Sequence, residues 1–204
     1  MAQHYKLNYF HTRGQGEPIR FLLSYGQVPF EDNRIEKERW PQLKRQIPFG
    51  QLPTLEVEGK EAHQVVAICR YLAKQFGLAG RDDIEAAQID AVVDTINDLR
   101  TKLMSIYLAP DLTSKEKLRQ QILDETLPYY LSKFDELIME NNGYLVGGKL
   151  SWADLFLISY YENFGVIAQR DVFRDYPYIH LLKENVHGIP AIENWIKTRP
   201  FSAF

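Results

Sequence analysis

One cysteine in 204 residues, Cys69, excludes an intrachain disulfide and fits a reducing compartment. That cysteine and five scattered histidines leave no ligand set for a structural zinc ion, so no metal is expected. No apolar run approaches the ~20 residues of a membrane span. The opening MAQHYKLNYF lacks the apolar core of a secretory signal and passes directly into strand-like sequence. A formal charge of −3 gives no broad attraction to nucleic acid or anionic lipid. Gly14-Gln15-Gly16 precedes a helix but lacks the third glycine and the lysine of a phosphate loop, so a tight strand-to-helix turn is the better reading. No serine sits in a nucleophile elbow. There is no internal repeat and no low-complexity stretch.

What remains has two textures. The first ~80 residues are short and punctuated, as expected of a strand–helix–strand half followed by a hairpin and a helix. Tyr5 to Tyr9 alternates with period two and reads as a strand. A helix follows with Pro18 near its first turn and Gly26 as its stop. Val28–Ile35 is a weaker strand, and Glu36–Phe49 a loop or short helix. Leu52–His63 reads as a hairpin turning at Gly59, and Val66–Phe76 as a helix. Residues 77–83 read as a boundary. Beyond it the pattern is helical. Ile89, Val92, Val93, Ile96, Leu99 and Leu103 form a long stripe. A second long helix over 114–140 contains Pro128, which predicts a kink. Ser151-Trp152-Ala153-Asp154 has capping-box spacing, and two shorter helices are expected near 179–186 and 191–198. The expectation is an α/β domain over 1–79 followed by an all-helical domain over 84–204.

Tyr9 ends the first strand, just before a glycine-containing turn and a helix, where open α/β sheets place ligands. Tyr5, Leu7 and Tyr9 share one strand face, however, and by position alone a core role outweighs a catalytic one. Pro53 starts a strand without a donor. Its peptide is either cis, which exposes the Leu52 backbone to a bound peptide, or an ordinary strand boundary. Gln64 and Val65 open a helix whose free amides can hold a carboxylate. Asp90, Asp94 and Asp98 share a helix face, which reads as a solvated acidic stripe. Glu17 and Arg20, three apart at a helix start, read as an ion pair or cap. Cys69 reads as a buried small hydrophobe.

Read together, these pieces carry a resemblance. Tyr5-Lys6-Leu7-x-Tyr9-Phe10, Gly16-Glu17-Pro18-Ile19-Arg20, Trp40-Pro41-x-x-Lys44, Pro48-Phe49-Gly50-Gln51-Leu52-Pro53, Gln64-x-x-Ala67-Ile68-x-Arg70-Tyr71-Leu72, Val93-Asp94-Thr95-Ile96-x-Asp98 and Leu150-Ser151-Trp152-Ala153-Asp154 occur in this order. The series resembles the sigma class of cytosolic glutathione transferases, which includes insect enzymes and haematopoietic prostaglandin D synthase, over essentially the whole chain. The resemblance implies a thioredoxin-like N-terminal domain with cis-Pro53, an all-helical C-terminal domain, glutathione as co-substrate and a cytoplasmic homodimer. It makes Tyr9 the residue whose hydroxyl donates to the glutathione sulfur. It gives Trp40 and Lys44 the glycine end of glutathione, Leu52 beside Pro53 the cysteinyl amide with Gln51 alongside, and Gln64 with the amide of Val65 the γ-glutamyl carboxylate. Asp98 would reach from the partner subunit to the γ-glutamyl amino group. Phe10, Thr12, Gln15, Met104, Phe156, Tyr160 and Phe204 are the expected lining of a hydrophobic substrate pocket. Phe49 is expected either to enter the partner subunit or to fill local core.

One residue departs from the pattern, since the family has serine where this chain has Val65. A serine there is expected to cap the helix and bind the carboxylate, so valine implies a helix weaker by roughly 1 kcal/mol and weaker glutathione binding. The activity implied is conjugation of glutathione to small hydrophobic electrophiles, a detoxification chemistry. Prostaglandin D isomerase activity uses the same thiolate, and a non-catalytic ligand-binding or structural relative is the reading from a different class.

Overall fold

The computed structural model describes residues 3–202. Its chain divides into two compact units. One runs to Leu78 and takes back the chain from Gly188 onward; the other is Ala79–His187.

The first unit is built on a four-stranded sheet, β1 (Tyr5–Phe10), β2 (Phe30–Ile35), β3 (Thr54–Val57) and β4 (Lys60–His63), in the order β2-β1-β3-β4. β1 is parallel to β2 and antiparallel to β3, which is antiparallel to β4. The alternation read in β1 is real: Tyr5, Leu7 and Tyr9 are buried while Lys6, Asn8 and Phe10 are half-buried. Pro18 sits in the first turn of α1 (Glu17–Tyr25), where its missing N–H costs nothing. The hairpin turns on Glu58 and Gly59, both at positive φ (50° and 75°), the conformation that suits the twist of a two-residue loop. A short helix, α2 (Trp40–Leu43), lies in the segment between β2 and β3. α3 (Val65–Gln75) follows β4, buries Val65, Ile68, Cys69, Leu72 and Ala73, and packs on α1.

The second unit is helical: α4 (Asp83–Leu108), α5 (Leu112–Gln121), α6 (Leu127–Glu140), α7 (Trp152–Ser159), α8 (Tyr161–Ala168) and α9 (Pro177–His187). The stripe on α4 is buried at Ile89, Val93, Ile96, Leu99 and Leu103. The break expected at Pro128 takes the form of a π-helical turn, Ile122–Thr126, which joins α5 to α6 and leaves Pro128 in the first turn of α6. Every residue of α7 is buried, so this helix is the centre of its unit. α8 was missed because Tyr160 and Tyr161 continue the apolar run of α7 without a glycine or proline to mark the break.

The last helix, α10 (Pro190–Thr198), falls in the first compact unit. It packs on α1, where Trp195 Nε1 donates to Glu17 Oε1 at 2.9 Å and Arg199 pairs with the same oxygen at 2.8 Å. A buried carboxylate at one end of the chain recruits donors from the other, a contact with no local sequence signal.

Candidate functional site

The register of the sheet brings three distant segments to one end. β1 ends just beyond Tyr9, where Asn8 faces Thr54, so the Leu52-Pro53 segment lies beside the end of β1. Thr54 faces His63, so Gln64 and Val65 follow one step beyond the same end. β2 is parallel to β1 and finishes here too, leading through Trp40 to Lys44. The bond between Leu52 and Pro53 is cis. Gln64 Nε2 donates to Gln51 Oε1 at 3.4 Å, which ties the segment before the cis bond to the start of α3. Tyr9, Trp40, Lys44, Gln51, Leu52, Pro53, Gln64 and Val65 thus share one end of one sheet.

Tyr9 is 8% exposed, and its hydroxyl oxygen accepts the backbone N–H of Gln15 at 2.9 Å. Two glycines make that approach possible. A Cβ on Gly14, at φ +36°, would stand 2.6 Å from the Tyr9 hydroxyl; one on Gly16 would stand 2.6 Å from the ring. The glycine pair read as a tight turn is therefore also the wall of the tyrosine's pocket, a role local sequence does not reveal. Phe10 stacks edge-on against Trp40 with centroids 5.4 Å apart, and Tyr9 and Phe10 are 5.6 Å apart. Glu17 and Arg20 are an ion pair as expected, at 3.2 Å, but a fully buried one.

At α3 the N-terminal cap position is Gln64, with φ 72° and ψ 116°, and no side chain caps the helix. Val65 is the first helical residue, with 5% exposure. The expectation that a residue at 65 caps the helix is corrected accordingly: valine there carries no capping penalty, because the cap is one residue earlier. Burial pushes the Cys69 thiol well up, which makes it a poor nucleophile.

The residues expected to line a hydrophobic pocket are drawn from both units. Phe10, Thr12 and Gln15 lie at the sheet end of the first unit and are half-buried. Met104 is half-buried on α4. Phe156 and Tyr160 are each 1% exposed in the core of the second unit, where the Phe156 ring packs between Trp152 and Tyr160 and Tyr160 stacks on Phe164. They present no surface to a substrate, and that expectation is corrected: spacing on α7 marked an aromatic face without showing that the whole helix is enclosed. Phe204 lies outside the described residues. Asp98 is exposed on α4. Phe49 is 83% exposed at φ 53°, against the His63 ring at 5.2 Å, so it does not fill local core.

The family model described as the glutathione S-transferase N-terminal domain matches residues 5–74, and that of the C-terminal domain matches 97–199. The chain belongs to the glutathione S-transferase family. A glutathione S-transferase of Anopheles gambiae is 43% identical over 97% of this chain and 98% of its own length. The human hematopoietic prostaglandin D synthase is 37% identical over 96% of each. Among solved structures, the prostaglandin synthase D of Nilaparvata lugens superposes with a TM-score of 0.94 at 46% identity, over 98% of this chain and 100% of that one. These relatives agree with the sigma-class resemblance. The α/β unit with its all-helical companion is the glutathione S-transferase fold. Among the described residues no group of three or more His, Cys, Asp and Glu could hold a metal ion, and no helix is long and apolar enough to cross a membrane.

Proposed function

We propose that this glutathione transferase conjugates glutathione to small hydrophobic electrophiles, with Tyr9 as the group that activates the thiol. The observation that carries the reading is the hydroxyl of Tyr9 at the ligand-facing end of β1, its oxygen held by the Gln15 amide at 2.9 Å. A phenol oxygen that accepts an N–H is a better-stabilised partner when its own proton is given to a thiolate sulfur. A free thiol of pKa near 8.5 is only a few per cent ionised at neutral pH, and a downward shift of about two units makes it mostly thiolate. The thiolate attacks the electrophilic carbon, a C–S bond forms, and the leaving group departs with its electron pair while the thiol proton passes to solvent.

The remaining roles follow position. Trp40 and Lys44 hold the glycine end of glutathione. The Leu52 backbone pairs with the cysteinyl amide beside Pro53, with Gln51 alongside. Gln64 and the amides at the start of α3 take the γ-glutamyl carboxylate, where the uncapped helix end is favourable to an anion. Asp98 serves the γ-glutamyl amino group of a partner subunit in a cytoplasmic homodimer. Phe10, Thr12, Gln15 and Met104 contribute to the electrophile site. Glutathione binding is weaker with Val65 than with serine by roughly one to two powers of ten, because a charge-assisted hydrogen bond is missing.

The test is turnover of a chlorodinitrobenzene-type electrophile by absorbance. Tyr9→Phe is expected to lower the rate at neutral pH roughly twenty- to thirtyfold, the share of thiolate lost with a two-unit shift from a pKa near 8.5. Full activity in that variant would remove the role assigned to Tyr9. A second reading, isomerisation of prostaglandin H to prostaglandin D by the same thiolate, is favoured by the likeness to two prostaglandin D synthases. Product analysis with the endoperoxide as substrate separates the two.

A further inference from the structure

Behind Tyr9 lies a set of buried and half-buried charges that the reading above does not use. Arg20 is fully buried. Its Nε pairs with Asp32 Oδ1 at 3.1 Å, and its Nη1 donates to Glu17 Oε2 at 3.2 Å and to the Thr12 carbonyl at 2.7 Å. Arg34 pairs with the other oxygen of Asp32 at 2.7 Å, and Arg199 and Trp195 hold Glu17. Arg20 Nη2 has no hydrogen-bond acceptor among the described residues, while the guanidinium carbon stands 5.9 Å from the centre of the Tyr9 ring.

Two consequences meet at Tyr9. The hydrogen bond to Thr12 anchors the start of the turn that presents the Gln15 amide, so Arg20 fixes the donor to the Tyr9 hydroxyl. The cation over the ring favours electron density moving onto the phenol oxygen, because the positive charge interacts better with a more negative ring. Gly16 is what lets the two come together, since a Cβ there would lie 2.6 Å from the ring and 3.0 Å from Arg20 Nη1.

We infer that Arg20 is a positioning residue for thiol activation: it anchors the 12–16 turn and tunes Tyr9 through the ring, without touching glutathione. The inference rests on Tyr9 being the activating group. The decisive experiment compares wild type, Arg20→Lys, Trp195→Phe and Tyr9→Phe by the pH profile of kcat/KM, with tyrosinate absorbance titrations referred to Tyr9→Phe. Lysine keeps the charge but cannot reach Asp32, Glu17 and Thr12 together. Arg20→Lys is expected to lower kcat/KM at neutral pH about five- to tenfold, with the profile displaced to higher pH, Tyr9 ionising later and the KM for glutathione nearly unchanged. Trp195→Phe, which touches only the far end of the cluster, is expected to lower the melting temperature without moving the profile. If folded Arg20→Lys keeps the wild-type profile while Tyr9→Phe is inactive, the inference about Arg20 fails and the role of Tyr9 stands. If Tyr9→Phe is fully active, the role of Tyr9 itself fails, and this inference with it. Should Arg20→Lys show no cooperative melt, Asp32→Ala makes the same test by removing the acceptor of Nε, and an unmoved profile there overturns the inference equally.

Discussion

At the start of α7 the amides left over by the first helical turn are closed off by protein, whereas at the start of α3 they are left without a side-chain cap. Asp154 accepts the backbone N–H of Ser151 at 2.7 Å, the Ser151 hydroxyl at 3.0 Å and the Leu145 N–H at 2.8 Å, all out of contact with water. α3 instead begins at Gln64, which is exposed, caps nothing and holds a positive φ of 72°. Both helices have positive potential at this end. In α7 a carboxylate from the protein itself fills it and fixes the fold; in α3 no side chain does, and on the proposed reading the place is left to a ligand carboxylate.

The contrast breaks first at Asp154. Asp154→Ala strips the Leu145 and Ser151 amides of their acceptor inside the core. A destabilisation of about 3–5 kcal/mol is expected, as for breaking other buried charged networks. Chemical denaturation measures it, and a loss under about 1 kcal/mol would mean the box is ornamental.

The same carboxylate gives a pH signature. Burial pushes Asp154 up to about 6 from 3.8, against hydrogen bonds from Leu145, Ser151 and its own backbone that pull it down. A carboxyl raised in the folded state binds its proton more tightly there than when unfolded. Its contribution to stability is therefore greatest below pH ~4, falls between pH ~4 and ~6, and is flat above. The fall amounts to about 3 kcal/mol for a rise from 3.8 to about 6. Melting curves of wild type against Asp154→Asn across this range are expected to draw together as pH rises. A difference that grows instead would place the carboxyl below its ordinary value, with the donors outweighing desolvation.

How much of this contrast was legible follows from the range of each interaction. The box at Ser151-x-x-Asp154 is local, three residues apart, and was read directly. So were β1, the Gly59 turn and the stripe of α4, each set by a short period. The open end of α3 is expected one residue late, because the serine of the resembling family at 65 suggests a cap there and only the backbone angles of Gln64 show otherwise. From position Tyr9 had only the weaker of two claims; its pocket is made by Gly14 and Gly16, and the charges behind it are held by contacts with Asp32, Trp195 and Arg199. Pairings over such separations depend on how the chain closes, which no short window contains.

At α3 the contrast sharpens through Val65. The side chain is buried at the first helical position, so Val65→Ser puts a hydroxyl where it lacks water until a ligand carboxylate arrives. Without glutathione the variant is expected to melt lower, by roughly 1 kcal/mol of stability. With glutathione it is expected to bind tighter by one to two powers of ten, read by titration calorimetry. Equal affinities would show that the backbone amides alone set the anion site.

The smallest effect tests whether the strain at Gln64 has a purpose. A side chain at φ 72° and ψ 116° costs of order 1–3 kcal/mol, and glycine reaches these angles freely. Against that gain, glycine gives the unfolded chain more freedom, worth roughly 0.5–1 kcal/mol. Gln64→Gly is therefore expected to raise stability by up to about 1 kcal/mol in the absence of ligand. It also deletes the amide that bonds Gln51 and, on the proposed reading, faces the γ-glutamyl carboxylate. Glutathione should then bind about tenfold more weakly, so the ligand-induced rise in melting temperature shrinks while the ligand-free melting temperature climbs. The opposite signs are the point of the experiment. A variant that loses stability and affinity together would make Gln64 an ordinary structural residue, and α3 would then differ from α7 only in lacking a cap.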